Sequence, residues 1–198
     1  MLSHYRSYRK IPAADDKGLT ALMVELCESH FRQFPGDRFA LIWYAMAKVQ
    51  LSQYTQAERA LRRSISLCKG DRKGIRLASS QMGHLFREKG EFKKAALWYR
   101  RGLRADPEYG DGYNFLGAVY FKSGLLKQAE LCFRKAIKFP AQSLDEAYFN
   151  LGGVLLAERR YQEAIDCYRR AIELDPKYAI AKKRLKDALL ALELKNHH

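Results

Sequence analysis

This chain is poor in histidine, has no paired-cysteine motif and carries no long apolar run, and each shortage excludes a class of function. Five histidines occur in 198 residues. His197 and His198 read as a tag remnant, which leaves His4, His30 and His84. No H-E-x-x-H zinc motif, G-x-S-x-G nucleophile elbow or phosphate-binding glycine loop is present. The expectation is therefore no enzyme activity, no catalytic residue, no metal and no cofactor. His84 stands near Arg87 and Glu88 at helical spacing. A lone cluster of this kind is better explained as a groove contact or a solvated side chain than as a general base. The four cysteines, Cys27, Cys68, Cys132 and Cys167, form no C-x-x-C pair. They read as small buried apolar residues, free thiols that suit a reducing compartment, so a cytoplasmic location is expected. No apolar stretch has the length of a membrane span. Residues 1–10 are basic and aromatic but lack the apolar core of a secretory signal. Arg6, Arg9 and Lys10 precede the first acid, Asp15, a composition shared with transit peptides.

Acid is scarce as well. Asp and Glu total 22 against 36 Lys and Arg, for a net charge of +14 and a pI near 9.7. Such a balance favours acidic peptides, nucleic acid or anionic membrane as partners, although a solvated basic helix surface is its simplest cause.

What the chain does have is an internal repeat. Tyr148, Leu151, Gly152, Leu155, Ala164, Tyr168, Ala171 and Pro176 match Tyr113, Leu116, Gly117, Tyr120, Ala129, Phe133, Ala136 and Pro140. Upstream, Met82, Gly83, Phe86, Ala95, Tyr99, Gly102 and Pro107 repeat the pattern, and Tyr44, Ala45, Ala57, Leu61 and Ser64 give a fourth copy. The marker alanines Ala57, Ala95, Ala129 and Ala164 stand 38, 34 and 35 residues apart. This pattern and period resemble the tetratricopeptide repeat (TPR), a helix-turn-helix unit. The resemblance implies an all-α fold, a right-handed α-solenoid of stacked helix-turn-helix repeats with a C-terminal capping helix. It also implies a protein-protein interaction scaffold or adaptor. Small residues in the Gly and Ala columns let the two helices of a unit approach closely, and large ones fill the gap to the next unit.

The organisation expected is an N-terminal arm over 1–16, a degenerate half-repeat helix over 17–37, and a first repeat with an extended loop over 38–75. Repeats follow at 76–109, 110–144 and 145–178, then a capping helix and tail at 179–198. The first helix places Leu19, Leu22, Met23, Leu26, Cys27, His30 and Phe31 on one broad side. The lengthened spacing after the first repeat falls on Cys68 to Gly74, read as a mobile basic loop. Gly90 and Gly124 mark internal turns, where a left-handed residue ends a helix, and Arg159 takes that place in the fourth repeat. Asp106-Pro107 and Asp175-Pro176 read as starts of the following helices, and Ser143 with Glu146 as a capping box. The capping helix shows Ala181, Leu185, Ala188, Leu189 and Leu192 on one face, with Leu190 and Leu194 partly off it.

In proteins with this repeat, ligands usually lie in the groove lined by the first helix of each unit. Carried over column by column, that groove takes Ser80, Gln81, His84 and Arg87 (with Leu77), then Asn114, Phe121 and Lys122 (with Asp111 and Ala118). It ends on Phe149, Asn150 and Leu156 (with Glu146 and Gly153). Side-chain amides beside apolar positions suit an extended or helical segment of a protein or peptide partner. The asparagine ladder of O-GlcNAc transferase repeats is not reproduced, because its column reads Trp43, Gln81, Phe115 and Asn150. The carboxylate clamp of chaperone-binding repeats is absent too, since its cationic columns hold residues such as Ile42, Asp111 and Glu146. A second surface is the dibasic step on each second helix: Arg62-Arg63, Arg100-Arg101, Arg134-Lys135 and Arg169-Arg170. It offers an alternative function, binding of RNA or another polyanion, with strong salt dependence. A third alternative is a structural part of a larger TPR assembly, with Leu190 and Leu194 as the contact of a weak homodimer. Otherwise a monomer with no transmembrane segment is expected.

Overall fold

The computed structural model describes residues 10–12, 14, 18–139 and 141–196. Most of the arm over 1–16, with His4, lies outside these residues, as do Pro140 and the two terminal histidines. The chain divides into two compact units, residues 1–106 and 107–198. Among the described residues between 20 and 196 the elements are helices only. The first unit holds α1 (Thr20–Gln33), α2 (Arg38–Gln50), α3 (Tyr54–Leu67), α4 (Arg72–Glu88) and α5 (Phe92–Ala105). The second holds α6 (Gly110–Lys122), α7 (Leu126–Lys138), α8 (Leu144–Ala157), α9 (Tyr161–Leu174) and α10 (Ala179–Asn196).

Four tight turns close the helix pairs α2–α3, α4–α5, α6–α7 and α8–α9, and each uses the same device. One residue takes a left-handed conformation: Ser52 (φ 59°), Gly90 (φ 73°), Gly124 (φ 73°) or Arg159 (φ 60°). The next amide then reaches back across the helix end. Gln53 N donates to Lys48 O at 2.8 Å, Glu91 N to Phe86 O at 2.8 Å, Leu125 N to Tyr120 O at 2.9 Å and Arg160 N to Leu155 O at 2.9 Å. This Schellman closure satisfies carbonyls that a helix end leaves unpaired. Glycine meets its conformational demand without strain in the second and third pairs, whereas Ser52 and Arg159 hold it with a Cβ in place.

Within each pair the small-residue column explains the packing. A Cβ on Gly117 would sit 2.7 Å from the Phe133 ring, and one on Gly152 would sit 2.8 Å from the Tyr168 ring. Gly83 meets Tyr99 in the same way. Tyr99, Phe133 and Tyr168 are fully buried. The first pair carries Ala45 in this column and the smaller Leu61 in the aromatic one, both at 0 % exposure. The helices approach closely enough that ring and methyl cannot share the space. In the second unit these rings join Leu151, Val154, Leu155 and Ile165, and α10 adds Ala188, Leu185 and Leu192.

Several local expectations are corrected. Leu19 and Leu22 are exposed, and only Met23, Cys27 and His30 of α1 are buried. Ile11 and Ala14, assigned to an arm, pack with Met23, Cys27, Ala40 and Ala47. Apolar side chains there have a cluster to join. The segment 72–74 is not loop but the start of α4, which runs 17 residues where its counterparts α2, α6 and α8 run 13 or 14. Asp71 caps it, accepting from Gly74 N at 3.0 Å. Asp106 and Asp175 end helices rather than start them. Asp106 pairs with Arg76 at 3.2 Å, and Asp175 accepts from Lys177 N at 2.9 Å. No capping box forms at Ser143. Its hydroxyl donates instead to buried Asp111 at 2.7 Å, and the same carboxylate takes Ser143 N at 3.2 Å and Gln142 N at 3.3 Å. A side chain of α6 thus secures the entry to α8, and Ser143 Oγ is no longer available to its own helix. On α10 Leu189 is exposed along with Leu190 and Leu194, because the buried stripe there is alanine, Ala181 and Ala188.

Candidate functional site

A pocket of about 300 Å³ opens in the second unit, lined by Phe121, Phe149, Asn150, Gly153, Leu156, Ala157, Tyr168 and Arg184. It exists because two glycines follow one another on α8. Gly152 seats the Tyr168 ring, and Gly153, one residue on, leaves open space with Phe121 and the Tyr168 hydroxyl near 4 Å from where a Cβ would stand. Phe121 is the penultimate residue of α6 and is 39 % exposed. Phe149 is held by rings at 5.8 Å (Tyr168) and 5.1 Å (Tyr178). Burial pushes the Tyr168 hydroxyl up to about 12, so it stays protonated and keeps its donor.

The polar side of the pocket is an amide pair. Asn150 Nδ2 donates to Asn114 Oδ1 at 3.0 Å. Asn114 is 1 % exposed, and its own Nδ2 is buried with no hydrogen-bond partner. Asn150 is only partly buried and retains an acceptor oxygen. Arg184, from α10, is half-exposed and lies 3.5 Å from Asp187. The pocket therefore presents aromatic and aliphatic walls, one amide, one hydroxyl and one guanidinium. An apolar side chain fits such a wall, with the amide and cation left for its backbone or an adjacent acid.

Of the expected groove residues, Phe121, Phe149, Asn150 and Leu156 line this pocket, and Asn114 supports it from behind. Lys122 is exposed next to it in sequence. Tyr168, Arg184 and Ala157 do not belong to the groove columns. The repeat pattern assigns Tyr168 wholly to the core, and Arg184 comes from a helix with no groove column.

The other four expected residues lie on α4 in the first unit. Ser80 is buried at 5 % exposure, its hydroxyl against the Gly102 position of α5, and it presents no open face. Gln81, His84 and Arg87 are partly exposed, and Arg87 lies 3.2 Å from Glu88. His84 Nδ1 shares a 2.9 Å hydrogen bond with the Tyr99 hydroxyl. Burial, with a smaller push from Arg87, lowers its pKa from 6.5 to about 4, so the imidazole is neutral at physiological pH. The unfolded chain takes up this proton near pH 6.5 and the folded chain only near pH 4. Stability from this site is therefore complete above pH 6.5 and is lost as pH falls towards 4, by up to about 3 kcal/mol. Thermal melts of His84→Gln should show a shallower loss of stability than wild type across that window, and parallel curves would refute the assignment.

Among the dibasic residues, Arg62, Arg63, Arg100, Arg134, Lys135, Arg169 and Arg170 are exposed. Many have partners. Arg62 pairs with Glu58 (2.7 Å), Arg134 with Glu130 (2.7 Å), Arg169 with Asp166 (3.7 Å) and Arg170 with Glu173 (2.7 Å). Arg101 lies over Trp98 at 5.1 Å and Lys135 over Tyr113 at 5.3 Å. Among the described residues no group of three His, Cys, Asp or Glu side chains is arranged to hold a metal. No helix there is long and apolar enough to cross a membrane.

Models of the tetratricopeptide repeat match residues 110–142 and 145–178, and a TPR-repeat model matches 83–124. The chain belongs to the tetratricopeptide-repeat family. Its fold class is the all-α stack of helix-turn-helix units, and TPR proteins of this kind are protein-interaction scaffolds. The fold is shared with the TPR protein TTC0263 of Thermus thermophilus, with a TM-score of 0.73 at 23 % identity, covering 94 % of this chain and 99 % of that one. The first TPR of Spaghetti (RPAP3), bound to the HSP90 peptide SRMEEVD, aligns with a TM-score of 0.58 at 25 % identity, covering 60 % of this chain and 94 % of that one. By sequence, anaphase-promoting complex subunit 3 of Schizosaccharomyces pombe is 27 % identical over 146 residues, 73 % of this chain and 21 % of that protein. The chain spans about a fifth of the length of the curated relatives it matches.

Proposed function

We propose that this TPR protein is an adaptor that holds an extended or helical segment of a protein partner in the pocket between α6, α8, α9 and α10. It acts by binding and not by catalysis. The observation that carries this reading is the pairing of an open apolar pocket with the Asn150 amide on its wall, held from behind by Asn114. An apolar side chain of the partner fills the space beside Phe121 and Leu156, and Asn150 meets the partner backbone. The cytoplasm is the proposed setting. The cysteines support it: all four are free, three are buried, and burial raises the thiols of Cys27 to about 12 and of Cys132 and Cys167 to about 11. Such thiols are inert in a reducing compartment.

Site-specific photo-crosslinking tests the placement. Ala157 lies at the pocket and is exposed. A photoreactive phenylalanine there should give an adduct with a discrete polypeptide in extracts of the source cell. The same group at exposed Arg169, on α9, should not. Equal adducts from both positions, or none from 157, would remove the pocket from the function.

A further inference from the structure

The basic charge of this chain is concentrated in one unit. Residues 1–106 hold 21 Lys and Arg against 10 Asp and Glu, a net +11, and residues 107–198 hold 15 against 12, a net +3. Within the first unit, hydrogen bonds tie the turns between successive helix pairs into one edge. Arg63 donates to Pro35 O at 2.8 Å, Arg38 to Asp71 at 2.9 Å, and Arg72 to Ala105 O at 2.9 Å. Three acids on this edge, Asp37, Asp71 and Asp106, are committed, and Glu108, the next acid after Asp106, is exposed. Asp37 caps α2 and meets His30 at 2.9 Å, Asp71 caps α4 and pairs with Arg38, and Asp106 pairs with Arg76. Arg63, Lys69, Arg72, Lys73 and Arg104 remain exposed there, with no ion pair to a carboxylate among the described residues.

The positions of these cations differ in kind. Lysines and arginines gather at helix C-termini because the helix dipole favours them there, which accounts for Arg104, whereas Arg63 lies before the last turn of α3 and donates to the Pro35 carbonyl. Arg72 and Lys73 stand in the first turn of α4, where the dipole disfavours a cation, and the turn holds no acid. They also belong to the extra length that makes α4 a 17-residue helix. A segment that departs from the repeat period and carries charge of the wrong sign for its position points to a role outside folding.

We propose that this edge docks an acidic polypeptide segment through the side chains of Lys69, Arg72, Lys73 and Arg104. Nucleic acid is the less suitable occupant because the aromatic rings nearby are engaged. Arg38 lies over Phe39 at 4.8 Å, Arg101 over Trp98 at 5.1 Å and His30 against Phe34 at 5.0 Å, so these rings offer bases no open stacking platform. The edge is separate from the pocket of the second unit and adds a second contact to the scaffold.

The test is fluorescence anisotropy with a short labelled poly-L-glutamate at low and moderate ionic strength. Wild type should bind and weaken with salt. Lys69→Glu with Lys73→Glu should weaken binding about tenfold, because it places like charges against the ligand. The same pair should melt near the wild-type temperature, since both side chains are exposed and a carboxylate at 73 would complement the dipole of α4 while one at 69 would oppose that of α3, and melts taken alongside separate a loss of binding from unfolding. Arg169→Glu with Arg170→Glu changes the net charge equally in the second unit and should leave affinity within about twofold. Gly153→Leu, which fills the pocket, should leave it unchanged, so the edge and the pocket fail separately. Equal losses from both charge-reversal pairs would reduce the effect to net charge and overturn the proposal. So would failure of wild type to bind poly-L-glutamate, or tighter binding of a single-stranded RNA of matched charge.

Discussion

Gly152→Ala is expected to destabilise this protein by about 2 kcal/mol, while Gly153→Ala, one residue further along the same helix, should stabilise it by up to about 1 kcal/mol. Alanine is the better helix former by about 1 kcal/mol at either site, so propensity alone predicts a gain at both. Packing reverses the sign at one of them. A methyl at 152 would lie 2.8 to 3.1 Å from three atoms of the Tyr168 ring. That ring is 1 % exposed and packed in the core of the second unit. At 153 the new methyl meets its nearest neighbours at 3.9 and 4.0 Å, ordinary contact distances. The first helix pair suggests how the cost is relieved, since Ala45 there accompanies Leu61. The double variant Gly152→Ala with Tyr168→Leu should therefore be less destabilised than the sum of its parts, with a coupling of about 1–3 kcal/mol. Denaturant melts of the two single variants and the double variant measure it. Additive losses would show that the ring and the methyl do not compete for the same space.

The columns that make the repeat visible in the sequence are the ones fixed by close packing. Gly83, Gly117 and Gly152 each face a ring on the following helix, and a residue confined in this way repeats at a regular interval. The all-α repeat fold is legible for that reason. The features that are not legible depend on contacts distant in sequence. Asp111 binds Ser143 and Gln142, more than thirty residues on, and so removes a cap that Ser143 and Glu146 spell locally. The extra residues after the first repeat look like loop because of Gly70 and Gly74, yet Asp71 caps a helix there and Gly74 lies inside it. The pocket is half legible. Phe121, Phe149, Asn150 and Leu156 follow from column positions, whereas Tyr168 doubles as core and wall, and Arg184 arrives from α10. The contact between Asn114 and Asn150 has no signal in the sequence, because the two residues occupy different columns of their repeats.

The second large effect concerns binding. Leucine at 153 would project into the 300 Å³ space beside Phe121 and Leu156. The backbone there is ordinary helix, and leucine is a better helix former than glycine, so the fold should be retained. An occupant that relies on this space would lose its anchor, which ordinarily costs about 2 kcal/mol or more for a buried side chain, about thirtyfold or more in affinity. Gly153→Ala is the matched control, since its methyl leaves most of the pocket open.

The measurement that tests the pocket's role most directly is therefore affinity for the partner recovered by the 157 crosslink, compared across wild type, Gly153→Ala and Gly153→Leu with melting curves alongside. Wild-type affinity is expected for the alanine variant and a loss of at least about tenfold for the leucine variant, with neither melting below wild type. Undiminished binding by a folded Gly153→Leu protein would contradict that role and place the partner elsewhere on the chain.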